Sequence, residues 1–406
     1  MISPLRRAFN ERWTGGQYRE LLSQLDARCG AHVSFRVSET PVFIPSPLLR
    51  LMEKSGREIM LQLVGNPRYM SASERTLPRR FHSRQEPAHP LFAAVDFGIV
   101  RDEQGELSPR LIELQGFPTL FAYQVELSQL YQSVYALQDG LTPFALGFDA
   151  ASYWRLFRSA VLGDCPPEHV VLLEIDPLTQ KTLPDFLLTE KACGIATVNV
   201  RDVVRKEKHL FYRRQNGGTL CPIDRIYNRV IPEDLERSGV VFDLHEDVDV
   251  QWAGHPSWFF RMSKFSLPFI DHPTVPKTMF LSDVGAVPDD LQKWVLKPLF
   301  SFAGGGVKVG PAPSDLKAIA AKHRADYVLQ ERVDYASVVE TPEGPTKAEI
   351  RIMYIWQDEP TAVLNLVRMG RGAMMGVDHN KNMAWVGSSA GFWPLDTGQS
   401  TEPHNP

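Results

Sequence analysis

The sequence predicts a mixed α/β fold of the α+β kind, with a parallel sheet in one part of the chain. Residues 169–200 have the pattern of a strand, a helix and a second strand, and such a βαβ unit is typical of parallel sheets. In residues 91–118, two apolar runs flank a polar turn and predict a β-hairpin. Residues 294–310 predict two short strands joined by a glycine-rich loop. Helical spacing dominates the first 75 residues.

The composition is that of an ordinary globular protein. The chain has 406 residues, of which 43% are hydrophobic and 23% charged, and its formal net charge is -4. The length predicts two or three domains, and the charge gives no indication of a nucleic-acid partner. No stretch approaches ~18 consecutive apolar residues, and residues 1–20 are polar, so we expect neither a membrane span nor a signal peptide.

The cysteines lack the spacing of a zinc site. The four are far apart in the sequence, without a C-x-x-C pair or a short-spaced Cys/His cluster. Free thiols in a reducing compartment are the simplest account, so we expect a cytoplasmic protein. Its oligomeric state is left open.

The predicted hairpin carries a candidate metal site. Glu113 and Gln115 lie two apart on the second strand and therefore share a face, and Asp96 on the first strand can join them. Two carboxylates and an amide oxygen suit Mg²⁺, which prefers oxygen ligands. An exposed strand with solvent-facing Glu and Gln is the alternative. Residues 96–98 also spell the metal-binding tripeptide of protein kinases, but the other kinase motifs are missing.

The glycine-rich loop is a candidate phosphate-binding lid. Gly304, Gly305 and Gly306 let backbone N–H groups approach a large anion, and Lys297 and Lys308 lie on either side. A strand follows the glycines, so the loop is not a Walker A motif, which requires a helix there. A glycine-rich hairpin turn with two exposed lysines is the alternative.

A third candidate site lies at a predicted strand end. Arg225 and Arg229 are placed to grip a substrate carboxylate at the edge of the parallel sheet. A structural ion pair with Asp224 is the alternative.

Together these motifs resemble the ATP-grasp superfamily. Ser263-Lys264 resembles its first ATP lysine, Val295-Leu296-Lys297-Pro298 its second, and residues 302–309 its glycine-rich lid. Residues 330–333 resemble the hinge that contacts adenine. The metal-binding hairpin lies upstream of these motifs, as in the circularly permuted members, which include glutathionylspermidine synthase and the eukaryotic type of glutathione synthetase. Gln115 stands where most members have Asn.

The resemblance implies a circularly permuted ATP-grasp fold with a parallel-sheet, pre-ATP-grasp-like domain. It divides the chain into a helical N-terminal region, the metal-binding hairpin with a helix, the pre-ATP-grasp-like substrate domain, the ATP-binding subdomains with the lid, and a tail. The corresponding ranges are 1–90, 91–150, 151–250, 251–396 and 397–406.

The implied activity is that of an ATP- and Mg²⁺-dependent carboxylate–amine ligase, which forms an acyl phosphate and releases ADP. Its partners would be a small-molecule carboxylate and an amine. An ATP-dependent phosphotransferase and an inactive nucleotide-binding scaffold are the alternatives. The implied ATP ligands are Lys264, Lys297, Gly304, Gly305, Gly306, Lys308, Gln330, Glu331, Val333, Asp334 and Glu349; the metal ligands are Asp96, Glu113 and Gln115; the charge-stabilising residues are Arg351, Arg368 or Arg371; Asn380 and Asn382 are further candidates.

Overall fold

The computed structural model describes residues 1–83, 86–214, 218–240, 248–300, 305–372, 375, 380 and 382–395. The predicted tail, 397–406, lies outside these ranges. The helices in the described part are α1 (Ser3–Arg12), α2 (Gly15–Cys29), α3 (Ser46–Val64), α4 (Pro67–Glu74), α5 (Phe121–Val134), α6 (Ala150–Leu162), α7 (Leu183–Cys193), α8 (Pro232–Ser238), α9 (Ser257–Arg261) and α10 (Pro313–Ala318). Within the same ranges, no helix combines the length and apolar character needed to span a membrane.

The strands form five sheets within the described residues. They are β1 (Val42–Phe43), β2 (Phe92–Arg101), β3 (Leu107–Gln115), β4 (Leu141–Thr142), β5 (Val170–Glu174), β6 (Ala196–Asn199), β7 (Val204–Lys206), β8 (His209–Arg213), β9 (Leu220–Ile223), β10 (Arg225–Asn228), β11 (Gln251–Ala253), β12 (Thr278–Phe280), β13 (Trp294–Pro298), β14 (Lys308–Val309), β15 (Tyr327–Glu331), β16 (Ser337–Val339), β17 (Thr346–Trp356), β18 (Pro360–Gly370), β19 (Gly387–Ser389) and β20 (Gly391–Pro394). The mixed α/β class is therefore confirmed.

Helices form where the sequence has caps and helical spacing. Thr14 and Gln17 make a reciprocal capping box at the start of α2, and Gly30 ends that helix with a φ of 71°. The stretch between residues 125 and 160 is helical at both ends but is not one continuous helix. It is divided into α5 and α6 by a segment in which Gly140 and Gly147 have positive φ, a backbone conformation that does not continue a helix.

The predicted βαβ unit is confirmed. Strand β5 pairs in parallel with both β6 and β10, and β10 pairs in parallel with β11, which gives the order β11-β10-β5-β6. Helix α7 connects β5 to β6. All five residues of β5 are buried, as expected for a central strand covered on both faces.

The largest sheet is antiparallel and includes the predicted hairpin. Its order is β19-β18-β17-β2-β3, and β16 also pairs with β17. Even-numbered residues of β17, such as Ile350 and Ile352, pack in the same core as residues of α3. On the opposite face, Met353 and Ile355 pack in a core with residues of α5 and α6. Glu349 and Arg351 precede them on that same face. One part of the face is therefore polar, and it forms one wall of the candidate active site.

A smaller antiparallel sheet carries the glycine-rich loop. Its order is β12-β15-β13-β14. Strands β13 and β14 flank the loop and pair antiparallel, which confirms the predicted strand–loop–strand arrangement. Leu296 and Leu329 are directly opposite each other and are buried on one face. The other face carries Lys297 and Gln330. The remaining sheets have the orders β1-β20-β4 and β7-β8-β9.

Candidate active site

A large cavity lies between the polar face of the main sheet and the sheet that carries the glycine-rich loop. Its volume is about 640 Å³, which is in the range of small-molecule and cofactor sites. Twelve of the residues that the sequence singles out line it: Glu113, Gln115, Lys264, Lys297, Gln330, Glu331, Val333, Asp334, Glu349, Arg351, Arg368 and Arg371.

Strand register brings the charged residues of the main sheet together. Asp96 on β2 lies opposite Glu113 on β3 on one side and opposite Arg351 on β17 on the other. Glu349 on β17 lies opposite Arg368 on β18. Residues that face each other across antiparallel strands are close enough for their side chains to interact.

These side chains form a buried ion-pair cluster. Arg351 donates from Nε and Nη2 to the two carboxylate oxygens of Asp96, at 2.6 and 2.7 Å. Arg368 Nη1 donates to Asp96 Oδ2 at 2.9 Å and to Glu349 Oε1 at 2.6 Å. The hydroxyl of Tyr335 donates to Glu349 Oε2 at 2.6 Å. We call this set of five residues the arginine cluster.

The arginine cluster affects its two carboxylates in opposite ways. Burial by itself would raise the pKa of Asp96, but the adjacent Arg351 and Arg368 hold that pKa below its usual value. Burial raises the pKa of Glu349, and Arg368 only partly opposes this effect. Asp96 is therefore the ionised partner of both arginines.

Asp96 does not have the surroundings expected of a metal ligand. Both of its oxygens accept hydrogen bonds from arginines, and its side chain is buried. Within the part of the chain that the structure describes, no group of three or more His, Cys, Asp or Glu side chains could hold a metal ion. In this structure Asp96 is therefore engaged by arginines, whereas Glu113 and Gln115 are oxygen donors in the cavity; the three-residue metal set stays a prediction.

Glu113 lies between the two lysines that resemble ATP ligands. Lys264 Nζ is 3.8 Å from Glu113 Oε2, and Gln115 Nε2 donates to Glu113 Oε1 at 2.7 Å. Lys297 Nζ donates to the carbonyl oxygen of Ile112 at 3.0 Å. Burial lowers the pKa of Lys297 to about 8, although the nearby Glu113 opposes the shift. A buried cation beside a carboxylate is thus directed at the cavity.

Lys308 is on the wrong face for the predicted contact with phosphate. Val307 and Val309 line the cavity, whereas Lys308 lies opposite Leu296, whose side chain faces a hydrophobic core. Its ammonium group pairs with Asp315 on α10. Strand alternation explains the difference, since adjacent residues point to opposite faces. Gly305 and Gly306 are exposed, and Gly304 lies outside the described residues.

The segment that resembles an adenine hinge, residues 330–333, includes the last two residues of β15 and continues beyond it. Its backbone is held at two points, where Glu331 N donates to Lys277 O and Arg332 N donates to Lys293 O, both at 2.8 Å. Gln330 is buried, and within the described residues its Nε2 has no hydrogen-bond partner. Buried polar atoms are usually satisfied, so one that lacks a partner at a cavity requires an explanation.

The two arginines predicted to bind substrate have structural roles instead. Arg225 begins β10 rather than ending it, and it donates to Val161 O and Ala160 O at the last turn of α6, at 2.9 Å each. Arg229 is buried and forms an ion pair with Asp185. Neither is among the cavity-lining residues. Arg229 does form a structural ion pair, but with Asp185 and not with Asp224, which pairs with His169.

Asn380 and Asn382 are also outside the set of cavity-lining residues that the structure describes. Asn380 is buried, and its Oδ1 accepts a hydrogen bond from Arg371 N at 3.3 Å. Asn382 is exposed. Asn380 therefore supports the loop that carries Arg371.

Sequence reasoning missed several cavity residues. Tyr335 lies two residues after the hinge at 330–333. Its ring is so close to Gly98 that a Cβ on residue 98 would be 2.7 Å from a ring carbon. Lys347 and Ser388 also line the cavity. Tyr335 belongs to no motif that resembles the superfamily; the only signal was its position beside the hinge.

Comparison with known proteins shows a likeness to solved structures. No protein-family model and no curated sequence matches the chain. Among solved structures, it is similar to a glutathione synthetase-like effector from Globodera pallida in the apo form, with a TM-score of 0.57. The match covers 93% of this chain and 97% of that one, at 11% sequence identity. The chain has a glutathione synthetase-like fold. At this identity the likeness extends to the fold alone.

Proposed function

We propose that this protein is a circularly permuted ATP-grasp enzyme that joins a carboxylate to an amine, using ATP and Mg²⁺. The observation that carries the proposal is the meeting of Lys264, Lys297 and Glu113 in one cavity with the segment at 330–334. These residues come from four separate parts of the chain. The glutathione synthetase-like name of the structural neighbour supports the same class of activity, and the position of the hairpin upstream supports the permutation.

The cavity residues fit a nucleoside triphosphate. Lys264 and Lys297 supply positive charge for the phosphates, and the unpartnered Nε2 of Gln330 offers a donor at the hinge end. Val295, Val307 and Val309 add an apolar surface beside them. Gly305 and Gly306 lie in the lid, where the lack of side chains permits close approach of the backbone to phosphate.

The donor set also fits a magnesium ion, with fewer protein ligands than the sequence predicts. Glu113 and Gln115 would hold it, and phosphate and water oxygens would complete its shell, as is usual for Mg²⁺ in nucleotide sites. When bound, the ion would neutralise charge on the phosphates. Asp96 would act indirectly, by holding Arg351 and Arg368.

The proposed reaction has two steps. A carboxylate oxygen of the acid attacks the γ-phosphorus, and ADP leaves. The nitrogen of the amine then attacks the acyl carbon, the bond from that carbon to the phosphate oxygen breaks, phosphate leaves, and the nitrogen gives up a proton to solvent. Phosphoryl transfer depends mainly on alignment and on charge stabilisation. Arg368, which is partly exposed to the cavity, is the best placed of the three predicted arginines, since Arg351 is buried and Arg371 donates to backbone carbonyls.

Mg·ATP should stabilise the folded protein. A ligand at about 100 times its Kd adds ~2.7 kcal/mol to the free energy of unfolding, and the expected rise in Tm is a few degrees. Thermal unfolding with and without Mg·ATP measures this directly. The rise should disappear in Glu113→Gln if Glu113 holds the metal. A Tm unchanged by any nucleotide would contradict the proposal.

ADP release separates the ligase from the alternatives. A ligase should release ADP in a manner that depends on both an acid and an amine, whereas a phosphotransferase needs only one acceptor. An inactive scaffold should bind Mg·ATP without releasing ADP. Screening acids with and without amines for ADP release therefore distinguishes all three.

Tyr335→Phe should slow turnover without weakening nucleotide binding. The hydroxyl fixes Glu349, which in turn positions Arg368. A hydrogen bond to a charged group contributes ~1.5–3 kcal/mol, so we expect kcat to fall about 10- to 100-fold while the Kd of ADP changes less than about threefold. Steady-state kinetics and ADP titration measure the two quantities.

Tyr354→Phe is the matched control. Tyr354 also lies in the main sheet and donates to Glu53 O at 2.8 Å, but it packs with α3 on the face away from the cavity. Loss of the Tyr354 hydroxyl should lower Tm and leave kcat unchanged. If Tyr335→Phe behaved in the same way, its hydroxyl would be structural only.

A further inference from the structure

The described residues that line the cavity carry more positive than negative charge. Among the described residues that line it, eight are lysine or arginine and four are glutamate or aspartate. Within the described chain, Lys264 pairs with Glu113, Arg332 with Asp334, Arg351 with Asp96, and Arg368 with Asp96 and Glu349. Lys347 and Arg371 differ from these four cations.

Lys347 and Arg371 have only neutral partners within the described residues. Lys347 Nζ donates to Gly372 O at 3.0 Å. Arg371 Nη1 donates to Ala384 O at 2.7 Å, and its Nη2 donates to Thr341 Oγ1 at 3.3 Å and Glu343 O at 3.4 Å. Carbonyl and hydroxyl oxygens satisfy the N–H groups but do not neutralise the charge. Both side chains are half-buried, so this charge remains directed at the cavity.

These two cations occupy one corner of the main sheet. Lys347 lies opposite Gly370, directly before Arg371 in the chain. Ser388 on the edge strand β19 lies opposite Arg368, two residues before Gly370. Ser388 is only 3% exposed, and its Oγ has no hydrogen-bond partner among the described residues. Its neighbour Ser389 is satisfied by Thr40 O at 2.6 Å. An unpartnered hydroxyl therefore lies at the same corner.

This corner is distinct from the place where phosphate chemistry is proposed. Strand β18, which precedes Arg371, is three strand spacings from β3, which carries Glu113, and β17, which carries Lys347, is two. Adjacent strands are about 4.8 Å apart, so these separations across the sheet are about 14 and 10 Å. Lys347 is also four residues along β17 from Arg351, which is level with Asp96 and Glu113. Leu366 and Met375 also line the cavity and give it apolar surface. The cavity thus has a phosphate-binding side, an apolar portion and a second cationic corner.

We propose that Lys347 and Arg371, with Ser388, form an anion subsite for a second carboxylate on the acid substrate. The substrate would be an elongated acid whose reacting carboxylate lies near Glu113 and whose second carboxylate neutralises this corner. The proposal rests on the proposed ligase function, because it assigns the subsite to the acid and not to the nucleotide. Charge pairing in a partly buried site is stronger than in water, so this corner would select dianionic acids over neutral or monoanionic ones.

The test uses dodecanedioate, a dicarboxylate long enough to span the two sides of the cavity, as the probe and its monomethyl ester, which lacks the second charge, as the ligand control. Each is titrated by calorimetry, at constant ionic strength, into the full-length protein saturated with Mg·ADP. We expect dodecanedioate to bind and the monomethyl ester to bind at least about tenfold more weakly. Lys347→Gln should weaken dodecanedioate binding about tenfold, and Lys347→Arg, which keeps the charge, should restore it. Lys54→Gln, an exposed lysine on α3, is the control for surface charge and should bind normally.

Three results would overturn the subsite. Dodecanedioate binding that is equal in wild type and Lys347→Gln would show that the corner is not involved, and an absence of binding by the wild type would show the same. Competition between dodecanedioate and ADP would assign the two cations to the nucleotide. A failure of Mg·ADP to bind would instead overturn the proposed function, and the same titration without nucleotide would still decide the subsite.

Discussion

Lys297→Met should remove nucleotide turnover while leaving the protein at least as stable as wild type. Methionine preserves most of the side-chain volume but not the charge. Loss of one preorganised charge-stabilising group costs about 100- to 1,000-fold in rate, and we expect a fall of at least ~100-fold in kcat/KM for ATP. Burial lowers the pKa of this lysine to about 8, so the ammonium group is held at a cost in free energy that methionine avoids. ADP release and thermal unfolding measure the two effects.

Lys308→Met is the matched control for this experiment. Both lysines flank the glycine-rich loop, but Lys308 is exposed and pairs with Asp315 on the other face of the sheet. An exposed ion pair contributes little, so turnover and Tm should both stay close to wild type. Equal losses of activity in the two variants would indicate that the lid moves far enough to bring Lys308 to the phosphates. Wild-type activity in Lys297→Met would reject the nucleotide site.

Local patterns in the sequence predicted the elements, and spacing along the chain predicted part of the site. The hairpin, the βαβ unit and the strand–loop–strand segment depend on short-range alternation and turn residues, which a sequence displays directly. The resemblance to ATP-grasp enzymes singled out Lys264, Lys297 and residues 330–334, which do line one cavity. Each of these motifs depends on a few adjacent residues and not on its distant partners.

The sequence did not indicate which distant residues pair with Asp96 and Arg229, nor was the direction of the Lys308 side chain predicted. Asp96 and Arg351 are 255 residues apart, and nothing local to Asp96 indicates that its carboxylate is neutralised by an arginine on another strand. Arg229 was placed at the correct strand end, but its partner Asp185 lies on α7. The direction of Lys308 could have been predicted, because the sequence shows that it alternates with Val307 and Val309 along a strand. Once the valines face the cavity, the lysine between them cannot.

Asp96→Asn should destabilise the fold much more than Glu113→Gln, although the two residues are opposite each other in the hairpin. Asp96 is 1% exposed and neutralises two arginines, and removing one partner of a buried ion pair costs about 3–5 kcal/mol. We expect a fall in Tm of several degrees. Glu113 is partly exposed in the cavity, so its change to Gln should alter Tm by about a degree at most.

The two variants should also differ in their response to Mg·ATP. Glu113→Gln should fold normally and lose the metal-dependent rise in Tm, because it removes the carboxylate that we propose as the magnesium ligand. Asp96→Asn should start from a lower Tm but retain a rise with Mg·ATP, since Glu113, Gln115 and both lysines remain. Thermal unfolding of the two proteins with EDTA, with Mg²⁺ and with Mg·ATP measures the Tm of each variant and its rise on ligand binding. If Asp96→Asn instead kept the wild-type Tm and lost the response to Mg·ATP, Asp96 would be a metal ligand that exchanges its arginine partners for the ion when nucleotide binds.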